Sequence, residues 1–286
     1  MTTGARAACV IGWPIEHSRS PLIHNYWLKL YGIPGAYRRE AVRPQDFAAF
    51  VQSLGARGYV GANVTVPHKE AALALSQPDD RARAVGAANT LWLDGALRST
   101  NTDVEGFLDN LDACAPHWDQ DLRKAVVLGA GGGARAVVNG LVSRGIERIV
   151  VVNRTFSRAE HFRERFGERV HPAPWSEIDT AIGDAGLLVN TTTLGMERQP
   201  HLTLDVGRLP SHAVVADLVY VPLVTPLLNA GAARNLRTAD GLGMLLHQAV
   251  RGFALWFGKT PAVTAELRAL VEIDLGPSVA RSTGIT

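Results

Sequence analysis

Three small residues, Gly129, Gly131 and Ala134, stand at the spacing G-x-G-x-x-G/A that dinucleotide-binding turns use. They follow a short apolar run, so a buried strand is predicted to turn sharply there into a helix. The first glycine permits the bend, the second lets backbone N–H groups approach a pyrophosphate, and the small third residue allows close packing. Since such turns also occur without a ligand, the neighbouring sequence must decide whether this one binds a dinucleotide. The candidate cofactor residues of this turn are Gly129, Ala130, Gly131, Gly132, Gly133 and Ala134.

The next predicted strand, Arg148–Val152, ends in polar residues that bear on the choice of cofactor. A site for NAD usually has Asp or Glu about 20 residues after the glycines, to hold the ribose 2′-hydroxyl. This chain has the neutral Asn153 there, followed by Arg154, Thr155 and Arg158. Because Arg forms bidentate bonds to phosphate, the cluster favours the 2′-phosphate of NADP. In the alternative interpretation, Thr155 only caps the next helix and both arginines are solvated.

Four polar clusters stand at predicted strand ends in the first part of the chain; they are Glu16–Pro21, Asn63–Lys69, Ala88–Thr90 and Asn101–Asp103. Ser20 before Pro21 is an ordinary helix cap, but capping does not account for Ser18, and two hydroxyls at a helix N-terminus suit a carboxylate. Along an extended strand, Asn63 and Thr65 point the same way. A lone Lys or Asp is usually a solvated charge, whereas four polar clusters together indicate a binding site.

Composition limits the remaining functions. With 29 basic and 27 acidic residues among 286, the net charge of +2 leaves no excess for a nucleic-acid partner. Two cysteines predict no disulfide framework and a reducing cytoplasmic location. Met1 to Ala8 has no apolar core and no later run approaches about 18 apolar residues, so neither an export signal nor a membrane span is expected. The histidines lack ligand spacing, and we therefore expect no metal.

The elements that must position these residues alternate between strand and helix, which predicts an α/β fold. In the first part we expect strands near Ala8–Ile11, Ala36–Val42 and Tyr59–Val66, a hairpin of Thr90–Leu93 and Ala96–Thr100 across an Asp94-Gly95 turn, and helices from Pro21 to Tyr31, from Pro44 to Leu54 and between His68 and Ala87. After a helix from Val104, the dinucleotide unit adds strands Leu187–Asn190, Val214–Val219 and Leu236–Ala239, and a helix from Thr225.

An apolar helix, Leu242–Phe257, is predicted to return to the first part of the chain. The fold class is therefore two α/β domains. A Rossmann-like NADP-binding domain, residues 105–241, is inserted in a mixed-sheet substrate domain, residues 1–104 completed by 242–286, with a cleft between them. Ligands usually bind at such interfaces and at the carboxyl ends of parallel strands.

At this level of detail the sequence resembles the shikimate dehydrogenase family over nearly its whole length. The motifs that carry the resemblance are Ser18-x-Ser20-Pro21, Asn63–Lys69, Gly86–Thr90, Asn101-Thr102-Asp103, Gly129–Gly132, Asn153-Arg154-Thr155, Asn190-Thr191-Thr192 and Asp240–Met244. The resemblance implies an NADP-dependent oxidoreductase acting on a CH–OH group, which reduces 3-dehydroshikimate to shikimate in the biosynthesis of aromatic amino acids.

The resemblance also implies roles for individual residues. Lys69 and Asp103 would be the catalytic pair, and Ser18 and Ser20 would bind the substrate carboxylate. Thr65, Asn89, Asp103 and Gln248 would bind the substrate's hydroxyls, and Tyr220 matches a position at the substrate side. The cofactor would contact Thr192, Leu218, Gly241 and Met244, in addition to the glycine turn and Asn153, Arg154, Thr155 and Arg158. The partners are then small molecules, with no nucleic acid or membrane, and a homodimer is allowed.

One departure and several alternatives remain. The family generally has Gly after Asn-Thr-Asp, but Val104 stands here, and a β-branched residue adopts positive φ poorly. We therefore expect that the turn after Asp103 differs in detail. The alternative functions are a quinate/shikimate or aminoshikimate dehydrogenase of relaxed specificity, and a redox-inactive sensor of NADP or a metabolite. Lys69 with Asp103 favours an enzyme, because a sensor needs no proton donor.

Overall fold

The computed structural model describes residues 6–276, and the predicted first domain also includes 1–5 and 277–286, which lie outside the described residues. The chain divides into two units. One runs up to Asp109 and includes Arg135–Gly140 and Leu245–Leu267, and the other comprises Asn110–Ala134, Leu141–Met244 and the residues from Arg268 on.

The sheet of the first unit is mixed, as predicted. Its six strands are β1 (Arg6–Gly12), β2 (Gly35–Ala41), β3 (Tyr59–Val64), β4 (Gln77–Pro78), β5 (Thr90–Asp94) and β6 (Ala96–Thr100), in the order β2-β1-β3-β5-β6-β4. β1 pairs in parallel with β2 and β3, whereas β5 is antiparallel to both of its neighbours. Because β1 and β3 run the same way, their carboxyl ends, which lead to Ser18 and Lys69, lie at one edge of the sheet.

Five helices follow these strands: α1 (Ser20–Leu30), α2 (Phe47–Gln52), α3 (Lys69–Ala74), α4 (Asp80–Val85) and α5 (Asp103–Cys114). A 3₁₀ turn, Pro44–Asp46, replaces the first turn of the second predicted helix. The core between α2 and the sheet consists of side chains such as Ile11, Phe47, Leu54, Val64 and Leu91. Burial of these apolar side chains, at about 25 cal/mol per Å² of area removed from water, fixes the strand ends that carry the polar clusters.

Two local predictions in this unit are wrong, and one strand was missed. β3 ends at Val64 rather than at Val66, which is 68% exposed, because His68 N–H bonds to the Thr65 carbonyl and closes a turn there. The hairpin register pairs Asp94 with Ala96 and leaves Gly95 alone at the apex with φ of +67°, so the turn is not the two-residue turn expected. The short strand β4 was not predicted.

Val104 does not adopt positive φ. It lies in the first turn of α5, and its side chain is buried beside Val85, Ala87 and Ala136. The chain is helical directly from Asp103, which is compatible with a β-branched residue.

The second unit has a parallel sheet in the doubly wound order. Its strands are β7 (Lys124–Leu128), β8 (Arg148–Asn153), β9 (Val170–Pro174), β10 (Leu187–Asn190), β11 (Val214–Asp217) and β12 (Arg237–Ala239), arranged β12-β11-β10-β7-β8-β9. Numbered from the glycine turn, this is the 3-2-1-4-5-6 order of Rossmann sheets. The two-domain Rossmann-type fold class is therefore confirmed.

The remaining helices are α6 (Gly132–Ser143), α7 (Phe156–Phe166), α8 (Ile178–Ile182), α9 (Pro226–Ala233), α10 (Gly241–Phe257) and α11 (Ala265–Leu275), with 3₁₀ turns at Trp175–Glu177 and Val206–Arg208. α10 begins in the second unit and continues into the first, as the apolar pattern predicts. Helix α7 follows Thr155, where a helix was predicted. Strand β9 and helices α8 and α11 were not part of the predicted arrangement. Within residues 6–276, no helix has the length and apolar character needed to cross a membrane.

Candidate active site

The side chains of Lys69 and Asp103 meet in the first unit. Lys69 is the first residue of α3 and Asp103 the first of α5, and Lys69 Nζ lies 2.6 Å from Asp103 Oδ2. The two side chains are 23% and 12% exposed, so the pair is shielded but accessible to a small molecule. His68, whose Nε2 lies 2.7 Å from the Val42 carbonyl oxygen and whose ring stacks on Phe47, anchors the start of α3. Burial lowers the pKa of His68, which favours its neutral form.

A network of neutral side chains fixes the carboxylate of Asp103. Asn89 Nδ2 donates to Asp103 Oδ1 over 2.8 Å, and Asn101 Oδ1 accepts the Asp103 N–H over 3.1 Å. Asn89 Oδ1 accepts from the Thr102 N–H and from the hydroxyls of Thr102 and Thr90. The acceptor of Asn89 is therefore occupied by protein donors, and only its amide nitrogen has a hydrogen available to a ligand.

Ser18 precedes α1 and Ser20 is its first residue, so Ser20 does not cap that helix. Arg19 is the N-cap residue, no side chain caps it, and buried Ser20 occupies the first helical position. The Ser20 N–H donates to Ser18 Oγ over 3.4 Å. Arg39, on β2, holds this segment from outside: its Nε and Nη2 donate to the Ser18 carbonyl oxygen over 3.0 and 2.7 Å.

Thr65 and Gln248 also lie in the first unit. A Cβ on Gly12 would stand 2.6 Å from Thr65 Cγ2, so Thr65 packs into the space that the glycine leaves. Gln248, on α10, has its Oε1 3.5 Å from the Thr102 hydroxyl. Asn63, which sequence reasoning paired with Thr65, is instead buried and bonded to Tyr37, Asn89 and Thr90.

The glycine turn of the second unit is shaped for an anion. Gly129 has φ of +101°, and a Cβ there would meet Thr191 Oγ1 at 2.8 Å. A Cβ at Gly131 or Gly132 would meet nothing within 4 Å, so the backbone at the start of α6 is open to a ligand. A Cβ at Gly133 would meet Leu218 Cδ2 at 3.1 Å, which places the Leu218 side chain beside this turn.

The end of β8 presents two cations. Asn153 Nδ2 bonds to the Thr155 carbonyl over 2.8 Å, and Thr155 stands at the N-cap of α7 without a side-chain cap bond. Arg154 and Arg158 are exposed, and among the described residues no ion pair to a carboxylate is found for either. Both guanidinium groups can therefore reach a phosphate.

Thr192 and Gly241 are held by the ends of β10 and β11. Asn190 Oδ1 accepts from the N–H and the hydroxyl of Thr192, over 3.0 and 2.7 Å. The backbone carbonyl of Leu218 would lie 2.3 Å from a Cβ on Gly241, so only glycine fits there. Burial raises the pKa of Asp217, which follows β11's apolar run, to about 6.

The predicted site residues divide between the units. Ser18, Ser20, Thr65, Lys69, Asn89, Asp103 and Gln248 lie in the first unit; Tyr220 and the predicted cofactor residues, including Met244, lie in the second. Sequence reasoning gave no role to Arg39 and none to Asp217. An arginine on an exposed strand carries no signal, whereas an acidic residue that ends a buried apolar strand is a signal that could have been used.

Three family models match the chain. The model described as the shikimate dehydrogenase substrate binding domain matches residues 10–91, the shikimate/quinate 5-dehydrogenase model matches 115–198, and the shikimate 5′-dehydrogenase C-terminal domain matches 241–270. The shikimate dehydrogenase (NADP(+)) of Rhodopseudomonas palustris strain TIE-1 is 66% identical, over 97% of this chain and 100% of that protein. The chain belongs to the shikimate dehydrogenase family. The shikimate dehydrogenase (NADP(+)) of Nitrobacter winogradskyi is also 66% identical, over 96% of this chain and 98% of that protein.

Solved structures of the shikimate dehydrogenase family share the fold. A quinate dehydrogenase from Corynebacterium glutamicum, in complex with NAD, has a TM-score of 0.87 and 32% identity, covering 93% of this chain and 98% of that one. A shikimate 5-dehydrogenase from Thermus thermophilus, in complex with NADP(H) and shikimate, has a TM-score of 0.81 and 34% identity, covering 94% and 98%. Fold similarity alone therefore does not distinguish shikimate enzymes from quinate enzymes. The side chains that contact the substrate must determine this specificity.

Proposed function

We propose that this protein is an NADP-dependent oxidoreductase that reduces 3-dehydroshikimate to shikimate, the step of aromatic amino-acid biosynthesis that its shikimate dehydrogenase relatives are named for. The observation that carries the proposal is the contact of 2.6 Å between Lys69 Nζ and Asp103 Oδ2, in a partly shielded site. A ketone reduction needs a positioned proton donor, and this ammonium is one. A redox-inactive sensor would have no use for it.

The second unit fits NADP by its own features. The open backbone at Gly131 and Gly132, at the N-terminus of the twelve-residue helix α6, suits a pyrophosphate. Arg154 and Arg158 suit a 2′-phosphate, and no carboxylate stands at Asn153 to bind a free ribose hydroxyl. Thr192, Leu218, Gly241 and Met244 complete the proposed cofactor site.

Hydride transfer to the ketone carbon is the chemistry that NADPH supplies when bound. Negative charge then develops on the carbonyl oxygen, and the Lys69 ammonium donates a proton to it, which leaves an alcohol and a neutral amine. Asp103 orients the ammonium and accepts a hydrogen bond from a neighbouring substrate hydroxyl. The amine regains its proton from water, which can reach it because the Lys69 side chain is 23% exposed.

Substrate recognition is assigned to polar groups around this pair. The hydroxyls of Ser18 and Ser20, beside the N-terminus of α1, bind the carboxylate of the substrate. Thr65, Asn89 and Gln248 bind its hydroxyls, and Tyr220 is assigned to the substrate by the family resemblance. Support comes from the hydrogen bonds that already order Asn89 next to Asp103.

The domain roles follow from this assignment. Residues 1–104, completed by 242–286, form the substrate domain, and residues 105–241 form the NADP-binding domain. The two cysteines, free in the structure, suit the reducing cytoplasm. A homodimer is a separate prediction, which light scattering after size exclusion tests.

Steady-state assays of the purified protein with shikimate or quinate and with NADP or NAD test the proposal. We expect shikimate with NADP to have the highest kcat/KM. Quinate has an additional hydroxyl on the carbon that carries its carboxylate, next to Ser18 and Ser20, and should be a poor substrate. Equal turnover of quinate and shikimate, or equal kcat/KM with NADP and NAD, would instead support the quinate/shikimate alternative. No turnover with either substrate would support the sensor.

A further inference from the structure

A buried carboxylate connects three segments of the second unit at the carboxyl ends of its strands. Asp217, the last residue of β11, is 1% exposed. Its Oδ1 accepts from Asn190 Nδ2 over 2.9 Å and from the Val219 N–H over 3.0 Å, and its Oδ2 accepts from the Thr225 hydroxyl over 2.7 Å. One side chain thus orders the end of β10, its own following loop, and the N-cap of α9.

Asp217 and the Leu194 carbonyl oxygen, which accepts from Asn190 Nδ2 over 3.1 Å, together set the direction of the Asn190 amide. A carboxylate only accepts hydrogen bonds, so the NH₂ group of Asn190 must face Asp217 and its carbonyl oxygen must face away. That oxygen accepts from the N–H and the hydroxyl of Thr192, and the Thr192 hydroxyl in turn accepts the Leu194 N–H over 3.1 Å. A polarised chain therefore runs from Asp217 through Asn190 to Thr192.

A second hydrogen bond of Asp217, from the Val219 N–H, affects the proposed cofactor residues Leu218 and Gly241. The Val219 N–H bonded to Asp217 fixes the loop that carries Leu218 and Tyr220. This loop packs so closely on the start of α10 that a Cβ on Gly241 would lie 2.3 Å from the Leu218 carbonyl oxygen. The position of Asp217 therefore affects the positions of Thr192, Leu218 and Gly241 together.

We propose that Asp217 is a positioning residue for the nicotinamide end of the cofactor site: through Asn190 it orients Thr192, and through Val219 it places Leu218 and Tyr220. The inference rests on the proposed function, since that assigns these residues to NADP and substrate.

Two facts argue for a role beyond stability. Burial raises the pKa of Asp217 to about 6, so folding is disfavoured by its charge at neutral pH, and a neutral amide would avoid that penalty. The groups that contact the carboxylate are an amide, a hydroxyl and a backbone N–H, none of which titrates near neutral pH. Protonation of Asp217 near pH 6 would add a donor hydrogen beside the Asn190 amide and the Val219 N–H, which can only donate, and would require the Thr225 hydroxyl to reverse its bond.

The test compares the parent with Asp217→Asn, which retains the shape and one acceptor oxygen. The matched control is Asp184→Asn, a carboxylate of the same unit that pairs with Lys124 at the opposite, amino end of β7. Three quantities are measured: the Kd for NADP, the KM and kcat values with NADP and shikimate, and the melting temperature. The Kd and the KM for NADP are followed across about pH 5 to 8, where Asp217 titrates.

Asp217→Asn should raise the Kd and KM for NADP roughly two- to tenfold at neutral pH, the factor for one weakened hydrogen bond. The parent should also lose affinity as the pH falls through about 6, with a smaller loss in Asp217→Asn. The 2′-phosphate of NADP titrates in the same range, but it is common to all three proteins and cancels in their ratios. Asp184→Asn should match the parent in the Kd and KM for NADP and in their pH profiles.

The inference is overturned if Asp217→Asn has the parent's NADP affinity and pH profile, or if it changes only the melting temperature. It is supported if the affinity changes while the melting temperature stays within a few degrees. Because the Kd for NADP needs no substrate, a parent that binds NADP but does not oxidise shikimate would contradict the proposed function and leave the Asp217 result readable.

Discussion

Arg154 and Arg158 extend from the end of β8 with their guanidinium groups exposed, and this geometry makes the cofactor preference testable. A charge-assisted hydrogen bond is worth about 1.5–3 kcal/mol, so Arg154→Ala should raise the KM for NADP by roughly tenfold or more. The KM for NAD should hardly change, since NAD has no 2′-phosphate. Arg169→Ala, an exposed arginine at the amino end of β9, is the control. An equal effect on both cofactors would remove the phosphate role.

Arg39 provides a second residue-scale prediction, because it holds the carbonyl of Ser18 with two donors. Arg39→Ala should loosen the serine segment and raise the KM for shikimate roughly two- to tenfold, with kcat changed less. Arg38→Ala, on the opposite face of β2, is the matched control. If both variants raise KM equally, the effect is one of net charge, and the hydrogen bonds to Ser18 are not its cause.

The partners of these side chains could not be read from the sequence. The motifs located Lys69, Asn89 and Asp103, and strand direction explains why two of the clusters share an edge. The orientation of Asn89 depends on Thr90 and Thr102, whose contacts arise only when β5, β6 and α5 are packed together. Ser20 shows the opposite case, since a local capping pattern predicted a bond that the folded chain does not make.

At the scale of single elements, the turn between β7 and α6 is the most restrictive. Gly129→Ala would combine positive φ with a contact of 2.8 Å to Thr191 Oγ1. Alanine at positive φ destabilises by about 1 kcal/mol or more, and the displaced turn should also weaken NADP binding. Gly145→Ala is the control, since φ is +78° there and a Cβ meets nothing within 4 Å. Both variants should lower the melting temperature, but only Gly129→Ala should raise the KM for NADP.

Strong apolar periodicity made most elements predictable. The strands that were not predicted are those whose sequences lack this periodicity. β9 contains Pro172 and Pro174, which have no backbone N–H to donate and therefore argue against a strand in the sequence. Both prolines are tolerated because β9 lies at the edge of the sheet. β4 has two residues and no periodicity at all. The end of β3 was misplaced because Thr65 and Val66 continue the alternating pattern after the backbone has turned.

At the scale of the whole molecule, acid stability should depend on His24. This side chain is fully buried among Trp27, Tyr37, Phe253 and Trp256, and neither ring nitrogen has a hydrogen-bond partner among the described residues. Burial lowers its pKa from 6.5 to about 3. The unfolded chain then binds more protons than the folded one between these values, so stability is lost as the pH falls from 6.5 towards 3.

His24→Phe keeps an aromatic ring and removes the titration. Denaturant unfolding over this pH range should therefore show a shallower loss of unfolding free energy for the variant than for the parent. Overpacking by the larger ring, typically about 1–3 kcal/mol, lowers the whole curve without changing its slope. Parallel curves for the two proteins would show that His24 does not contribute.

Proton transfer by Lys69 is the central claim for the molecule as an enzyme, and kcat of Lys69→Ala tests it most directly. General acid–base groups contribute roughly 10²–10⁴-fold, so kcat should fall by that factor while the KM for shikimate changes far less. The melting temperature and the Kd for NADP should match the parent, and Lys29→Ala, an exposed lysine of α1, should retain full activity. A folded Lys69→Ala protein with near-parental kcat would contradict the proposed mechanism.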